Sequence, residues 1–281
     1  HCMSQFPERG TSAVFRDNLF AGEVALVSGG GSGLGRAIAV QMAALGAHVA
    51  ICGRRIERLE ETADTIRKAG GTVSTHAMSI RDPEAVAALV NDVVAQHGQL
   101  DHLVNNAGGQ FPQAAIDYSV KGWNAVIDTN LNGSWYMMQA VARHWRDTMQ
   151  AGTITNIVAV VTRGMPGVAH TCAARAGVIH LSKTLATEWA PLGIRINCVA
   201  PGAIATGGMD VYSEEARREL PRSNLMQRFG TAQDVADAVT YLAAPSGRFI
   251  TGEVLTVDGG NQIWGDQWTI PRPDYFGGPA G

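Results

Sequence analysis

The chain has 281 residues, 46% hydrophobic and 17% charged, proportions ordinary for one large globular domain with a sizeable core. A formal charge of −3 argues against nucleic acid as the main partner, and no apolar run approaches the roughly 18 residues that a membrane span requires. Cys2, Cys52, Cys172 and Cys198 lack CxxC or disulfide spacing, so a reducing, cytoplasmic setting is expected; the eight histidines lack HExxH or paired-ligand spacing, so no metal is expected.

His1 and Cys2 stand ahead of Met3 and read as a cloning remnant, no secretory signal pattern follows, and residues 1–21 form an N-terminal extension. Beyond it, short apolar runs alternate with longer helical stretches, the pattern of βαβ units around a parallel sheet. Residues 24–28 form a first buried strand, and 36–45 an amphipathic helix ending at Gly46. A second strand over 48–52 precedes a charged helix over 55–69 that stops at Gly70-Gly71. A third strand spans 72–78; Asp82 then caps the next helix, with Pro83 at its first position. Further strands are expected over 100–105, 152–160, 195–200 and 253–257. The fold class is α/β: a doubly wound parallel sheet of about seven strands with helices on both faces, forming a single domain over 22–260. Its ligand crevice lies beyond the carboxyl ends of the strands. Residues 261–281 are a tail rich in Gly, Pro and Trp, expected to wrap a neighbouring subunit or the surface.

Ser28-Gly29-Gly30-Gly31-Ser32-Gly33-Leu34-Gly35 joins the first strand to the first helix. Glycines there let the backbone turn tightly and approach a pyrophosphate, which rests on the orphan N–H groups of a helix N-terminus. A glycine run alone also fits a flexible turn; its place between a strand and a helix carries the nucleotide reading. The second strand ends Cys52-Gly53-Arg54-Arg55, with no acid to hold a ribose 2′-hydroxyl. Two guanidinium groups suit a 2′-phosphate instead, so NADPH is the expected cofactor. Arg supplies 19 of the 22 basic residues, Lys68, Lys121 and Lys183 being the rest. Such a surplus suits phosphate-rich ligands, although a GC-rich genome would produce it too.

Four further motifs follow in order: Asn105-Asn106-Ala107-Gly108 after the fourth strand, Asn130 in a helix, Pro201-Gly202 after the sixth strand, and Asp258-Gly259-Gly260. With the glycine loop they resemble the short-chain dehydrogenase/reductase family over residues 24–260. The resemblance implies a Rossmann-type domain in which Ser28, Gly29, Gly31, Ser32, Gly33, Leu34 and Gly35 hold the dinucleotide. It implies that Asn106, Ala107 and Gly108 line the cofactor cleft, and that Pro201, Gly202, Ile204 and Thr206 meet the nicotinamide carboxamide. Ser79, followed by Ile80, stands where the family commonly sets an Asp against adenine.

The family's catalytic acid is missing. Its members protonate a carbonyl with a Tyr whose acidity is raised by a Lys four residues later on the same helical face. Here Thr171-Cys172-Ala173-Ala174-Arg175 occupies that stretch, with Thr171 at the Tyr position and Arg175 at the Lys position. The Ser after the fifth strand becomes Val158 or Ala159, and none of Tyr118, Tyr136, Tyr212, Tyr241 and Tyr275 is followed by Lys at that spacing. Arg175 still suits the nicotinamide ribose, but a guanidinium cannot relay protons. Ketone reduction makes an alkoxide that needs an immediate proton, and is poorly served. Reduction of a double bond conjugated to a thioester has other needs: charge develops on the thioester oxygen as an enolate, where a hydrogen-bond donor lowers the barrier.

Asn106-Ala107-Gly108-Gly109-Gln110-Phe111, Lys121-Gly122-Trp123, Ala173-Ala174-Arg175-Ala176-Gly177-Val178 and Gly193-Ile194-Arg195-Ile196-Asn197-Cys198-Val199 are similar to the peroxisomal trans-2-enoyl-CoA reductases. Their relatives, the 2,4-dienoyl-CoA reductases, hold the thioester carbonyl with an amide side chain at the position of Gln110. The resemblance implies an NADPH-dependent enoyl-CoA or dienoyl-CoA reductase of fatty acid metabolism, with Gln110 as polarising donor, Thr171 as a second hydrogen bond and Arg175 at the ribose. It also implies a homotetramer built on the helices around 135–145 and 171–189. Arg163, Arg217, Arg218 and Arg222 are candidates for CoA phosphates, or part of a solvated helix over 213–220. The alternatives are a carbonyl reductase or alcohol dehydrogenase with another acid, such as His170 or a loop tyrosine, and a catalytically silent NADPH-binding subunit or sensor.

Overall fold

Alternation along the first strand sets the layers of the molecule. In the computed structural model, which describes residues 14–263, β1 (Val24–Ser28) sends Ala25 and Val27 into one core and Val24 and Leu26 into another, as a side-chain period of two requires. A strand buried on both faces reads as an unbroken apolar run, the mark of a parallel sheet between two helical layers.

The chain continues through α1 (Gly33–Ala44), β2 (His48–Gly53), α2 (Ile56–Lys68), β3 (Thr72–Ala77), α3 (Pro83–His97) and β4 (His102–Asn105). It then forms α4 (Val120–Ile127), α5 (Ser134–Thr148), β5 (Gly152–Ile157), α6 (Ala169–Trp189), β6 (Ile194–Pro201), α7 (Glu214–Glu219), α8 (Ala232–Ala243) and β7 (Val254–Val257). All seven strands pair in parallel, in the order β3-β2-β1-β4-β5-β6-β7. Ile38, Met42, Leu59, Val235 and Val239 of α1, α2 and α8 pack with Val27, Ile51, Val104 and Val199. On the opposite face Val90, Val93, Met137, Val141 and Leu185 of α3, α5 and α6 pack with Leu26, Leu103 and Ile196. Truncating a fully buried Leu such as Leu26 to Ala costs about 2–5 kcal/mol at sites of this kind.

The expected strands all form, with differences at their ends that have local causes. The fourth begins at His102 rather than at 100, because the Leu100 carbonyl is taken by the Trp145 indole N–H at 2.6 Å. The fifth stops at Ile157 rather than at 160, where the chain leaves the sheet. Asp82 caps α3 as its chemistry requires, accepting from the N–H groups of Glu84 and Ala85 at 3.0 and 3.2 Å. The extension before residue 14 and the tail beyond Ile263 lie outside the described residues.

The order of strands makes a switch point. β1 lies between β2 and β4, so the chain runs outward through β3 and then returns to the other side of β1. Successive connections leave toward opposite sides there, and a crevice opens beyond the carboxyl ends of β1 and β4.

Candidate active site

The crevice is a cleft of about 510 Å³, and its floor is the turn from β1 into α1. A Cβ on Gly35 would lie 2.3 Å from the Gly29 carbonyl oxygen, so this backbone approach admits only glycine, while Gly29 itself has a φ of 68°. Ser32 makes no side-chain cap and the first turn of α1 carries no acid. The first N–H groups of α1 are thus left for a ligand, at the positive end of the helix dipole. The Ser28 hydroxyl accepts from the N–H groups of Asn106 and Ala107, both at 3.0 Å, and Asn106 Nδ2 donates to the carbonyls of Ser28 and Gly29 at 3.1 and 3.3 Å. These bonds lash the ends of β1 and β4 together.

Five arginines line the cleft (Arg54, Arg55, Arg58, Arg81 and Arg175), and no carboxylate does among the described residues. Arg58 shares its charge with Glu61 at 3.1 Å, and Arg81 is engaged by Thr129 and the Ala125 carbonyl. Sequence reasoning named Arg54 and Arg55 but missed Arg58. Its spacing of three from Arg55 on a helix was the available signal.

Deeper in, Asp128–Gly133 winds as a wider π-helical turn between α4 and α5. Buried Asn130 lies in this turn; its Oδ1 accepts from the Gly109 N–H at 2.9 Å and its Nδ2 donates to the Gly109 carbonyl at 3.0 Å. This pair of bonds fixes the backbone beside Gln110, which lines the cleft. Gln110 Nε2 in turn donates to the hydroxyl of Tyr212, from the segment after β6 whose Thr206, Gly207, Gly208 and Val211 also line the cleft. Desolvation pushes the half-buried Tyr212 phenol above its ordinary pKa, with the Gln110 hydrogen bond opposing and nearby Cys172 adding to the rise.

At the positions expected to hold the family's triad stand an apolar wall and a buried cation. Ile157 and Val158 line the cleft at the end of β5. Thr171 and Arg175 lie one turn apart on α6, both buried, and neither Thr171 Oγ1 nor Arg175 Nη1 has a hydrogen-bond partner among the described residues. Arg175 lines the cleft, whereas Thr171 lies behind its lining. Burial pushes the Arg175 guanidinium down to about 10, the mark of a cation held without a carboxylate. Such an orphaned buried donor, with the glycine cradle and the open helix end, fits a dinucleotide.

His170 is fully buried, stacked on Tyr118 at 4.6 Å and edge-on to Phe111 at 4.5 Å, and its Nδ1 accepts from the Thr171 N–H at 2.7 Å. Burial lowers its pKa, and it does not line the cleft. Among the other expected cofactor contacts, Gly31, Gly33, Leu34, Ser79, Ile80 and Gly108 do line it. Ser28 and Gly35 stand behind the floor. Pro201 and Gly202 are engaged with Val257 of β7, and Ile204 bridges to Gly230. The arginines considered for CoA phosphates are occupied nearby: Arg163 donates to the Asn261 carbonyl at 2.7 Å, Arg217 pairs with Asp210 and Arg222 with Glu219, both at 3.3 Å. Arg218 lies beside Arg217 in the last turn of α7. Among the described residues no group of three His, Cys, Asp or Glu could hold a metal, and no helix is long and apolar enough to cross a membrane.

A family model described as enoyl-(acyl carrier protein) reductase matches residues 29–262. The chain is similar to a probable 2,4-dienoyl-CoA reductase, (2E)-enoyl-CoA-producing, of Bacillus subtilis, at 40% identity over 253 residues, 88% of this chain and 97% of that one. It is also similar to the 3-oxoacyl-[acyl-carrier-protein] reductase FabG of Staphylococcus aureus, at 36% identity over 239 residues, 84% and 96% of the two chains. Among solved structures it resembles the citronellol catabolism dehydrogenase AtuB of Pseudomonas aeruginosa PAO1, with a TM-score of 0.81 and 40% identity over 90% of this chain and 100% of that one.

Proposed function

The chain belongs to the short-chain dehydrogenase/reductase family of nicotinamide nucleotide-dependent oxidoreductases, and on that basis we propose that it reduces a carbon–carbon double bond conjugated to an acyl-CoA thioester, using NADPH. The observation that carries this reading is the exchange of acid for amide: Gln110 faces the cleft, while Val158 or Ala159 and a buried Thr171 stand where the resemblance expects hydroxyl acids. An amide N–H suits an oxygen that gathers charge without taking a proton.

NADPH, when bound, supplies the hydride. In this reading the open start of α1 holds its pyrophosphate, Arg54, Arg55 and Arg58 hold the 2′-phosphate, and Arg175 Nη1 donates to the nicotinamide ribose. Ser79 and Ile80 meet the adenine, and Thr206 the carboxamide. Gln110 Nε2 donates to the thioester oxygen, and Ile157 and Val158 exclude water from the reacting carbons, while the second hydrogen bond expected of Thr171 has no part in this reading because Thr171 lies behind the lining. A cytoplasmic homotetramer of fatty acid metabolism, assembled through α5 and α6, belongs to the same proposal. Light scattering on the purified protein tests the assembly.

The name of the Bacillus subtilis relative supports the thioester reading, and that of the Staphylococcus aureus relative favours carbonyl reduction as the second. Loss of NADPH absorbance with a trans-2-enoyl-CoA or a 2,4-dienoyl-CoA is the expected result. Turnover of a β-ketoacyl-CoA alone would move the assignment to carbonyl reduction, and NADPH binding without turnover of any thioester to a silent subunit.

A further inference from the structure

Thioester-conjugated reduction needs a proton delivered to carbon after the hydride. We propose that Tyr212 is the acid that delivers it, a catalytic residue on the segment after β6 that Gln110, itself in the cleft lining, holds immediately behind that lining. The inference rests on the enoyl-CoA reading, since it concerns a later step of that reaction.

The direction of one hydrogen bond makes the argument. Gln110 Nε2 donates and the Tyr212 oxygen accepts, so the phenol keeps its own proton to give. The amide carries two N–H groups; with one on Tyr212, the other remains for the thioester oxygen. A single side chain thus joins the group that holds the oxygen to the group that holds the proton.

The other tyrosines among the described residues, and His170, are placed elsewhere. The Tyr118 hydroxyl donates to the Gly167 carbonyl and accepts from the Ala169 N–H, both at 3.1 Å, at the head of α6. His170 is sealed beneath Phe111 and Tyr118. Tyr136 packs against the α3–α5 core, and Tyr241 is exposed on α8. Desolvation of Tyr212 keeps its phenol protonated at neutral pH. That does not hinder the step, because the carbon of a thioester enolate is a far stronger base than a phenolate.

Hydride addition at C3 of a 2-enoyl thioester moves the π pair toward oxygen. The enolate pair then forms a C2–H bond with the Tyr212 proton as the O–H bond breaks; the carbonyl re-forms, and the phenolate regains a proton from water. With a 2,4-dienoyl thioester the hydride enters at C5, C2 again takes the proton, and the double bond is left between C3 and C4.

The test is Tyr212→Phe, which removes one oxygen and keeps the ring. In deuterated water the wild-type enzyme is expected to place deuterium on one face of C2. The variant should keep its melting temperature and substrate KM, lose about 100-fold or more in kcat, and scatter deuterium over both faces as water becomes the donor. A second readout needs no turnover: the phenolate absorbance titration assigned by difference to Tyr212 should move to higher pH in Gln110→Ala. A variant that turns over like wild type overturns the proposal. So does one that is slowed but still labels a single face, which would make Tyr212 only a positioning residue for Gln110. If wild type reduces neither an enoyl-CoA nor a dienoyl-CoA, it is the underlying reading that has failed.

Discussion

The Arg175 guanidinium occupies the space that a Gly108 side chain would need: a Cβ on Gly108 would lie 2.1 Å from Arg175 Nη2 and 3.0 Å from Asn130 Oδ1. The glycine after Asn105-Asn106-Ala107 therefore has a spatial purpose. Gly108→Ala should displace the guanidinium from a site too closely packed to absorb it, and weaken NADPH binding by about tenfold, one lost hydrogen bond to a charged donor. Calorimetric titration measures this; unchanged affinity would show that Arg175 does not meet the nucleotide.

Arg175 also carries a stability cost. Its folded-state pKa, pushed down to about 10, lies below its ordinary value, so at every pH below about 10 the buried charge opposes folding. Arg175→Met should stabilise the nucleotide-free protein by about 1–4 kcal/mol while reducing the gain in melting temperature on adding NADPH. A variant that melts lower without nucleotide would mean that the cation has a partner within the fold.

Arg54 and Arg55 should decide between the two nicotinamide nucleotides. Removing both leaves Arg58, already shared with Glu61, as the cation at that corner. Charge-assisted hydrogen bonds of about 1.5–3 kcal/mol each translate into a KM for NADPH raised by at least tenfold, with the KM for NADH little changed. Equal losses for both would place these side chains on the pyrophosphate instead.

Gln110→Ala should lower kcat on an enoyl-CoA by about 10²–10³-fold, the cost of one donor to a developing oxyanion, with NADPH binding intact. Gln110→Glu should be no better, because a carboxylate repels the same oxygen. Steady-state kinetics on both variants, beside a nucleotide titration, would expose any purely structural role through a parallel loss of binding.

The parts of this molecule that were legible in its sequence are those decided by neighbours in the chain. β1 is an unbroken apolar run because both its faces are buried, and the Asp82 cap is a contact across two and three residues. That the glycine turn and Arg54 share one cleft was legible for the same reason, since they sit on adjoining elements. The opposite side was legible only in part: Gln110 and Arg175 were named and do line the cleft, but what surrounds them was not. Tyr212 reaches Gln110 across 102 residues, from a segment without helical or strand period. His170 is buried by Phe111 and Tyr118, which arrive from a distant loop. Nothing in the local pattern around Asn130 announces a π-helical turn.

At the edge of the sheet, the Ser74 hydroxyl meets Nε2 of both His76 and His97 at 3.1 Å, and His48 packs edge-on to His97. Desolvation lowers the pKa of His76 and of His97, with Asp92 opposing this at His76 and the neighbouring histidines adding to it at His97. A lowered folded pKa means stability that is fully present above the ordinary histidine value near 6.5 and lost as pH falls below it. The double variant His76→Gln/His97→Gln should flatten the loss of melting temperature between about pH 6.5 and 5. An unchanged slope would place the acid sensitivity elsewhere.

The two neighbours of β1 have a consequence for how the protein is made. β2 begins at His48 and β4 at His102, while Arg175 and Thr206 follow much later in the chain. A ribosome therefore releases the glycine turn, Arg54 and Arg55 long before the far wall of the cleft exists. If the proposed site is right, the nascent chain offers the nucleotide half a dock, and the cofactor should not template the first half of the fold. It acts instead as a lock closed after synthesis, adding a stabilisation that grows with the logarithm of its concentration over Kd. Starving a cell of the nucleotide should then leave the rate of folding unchanged and shorten the lifetime of the finished protein.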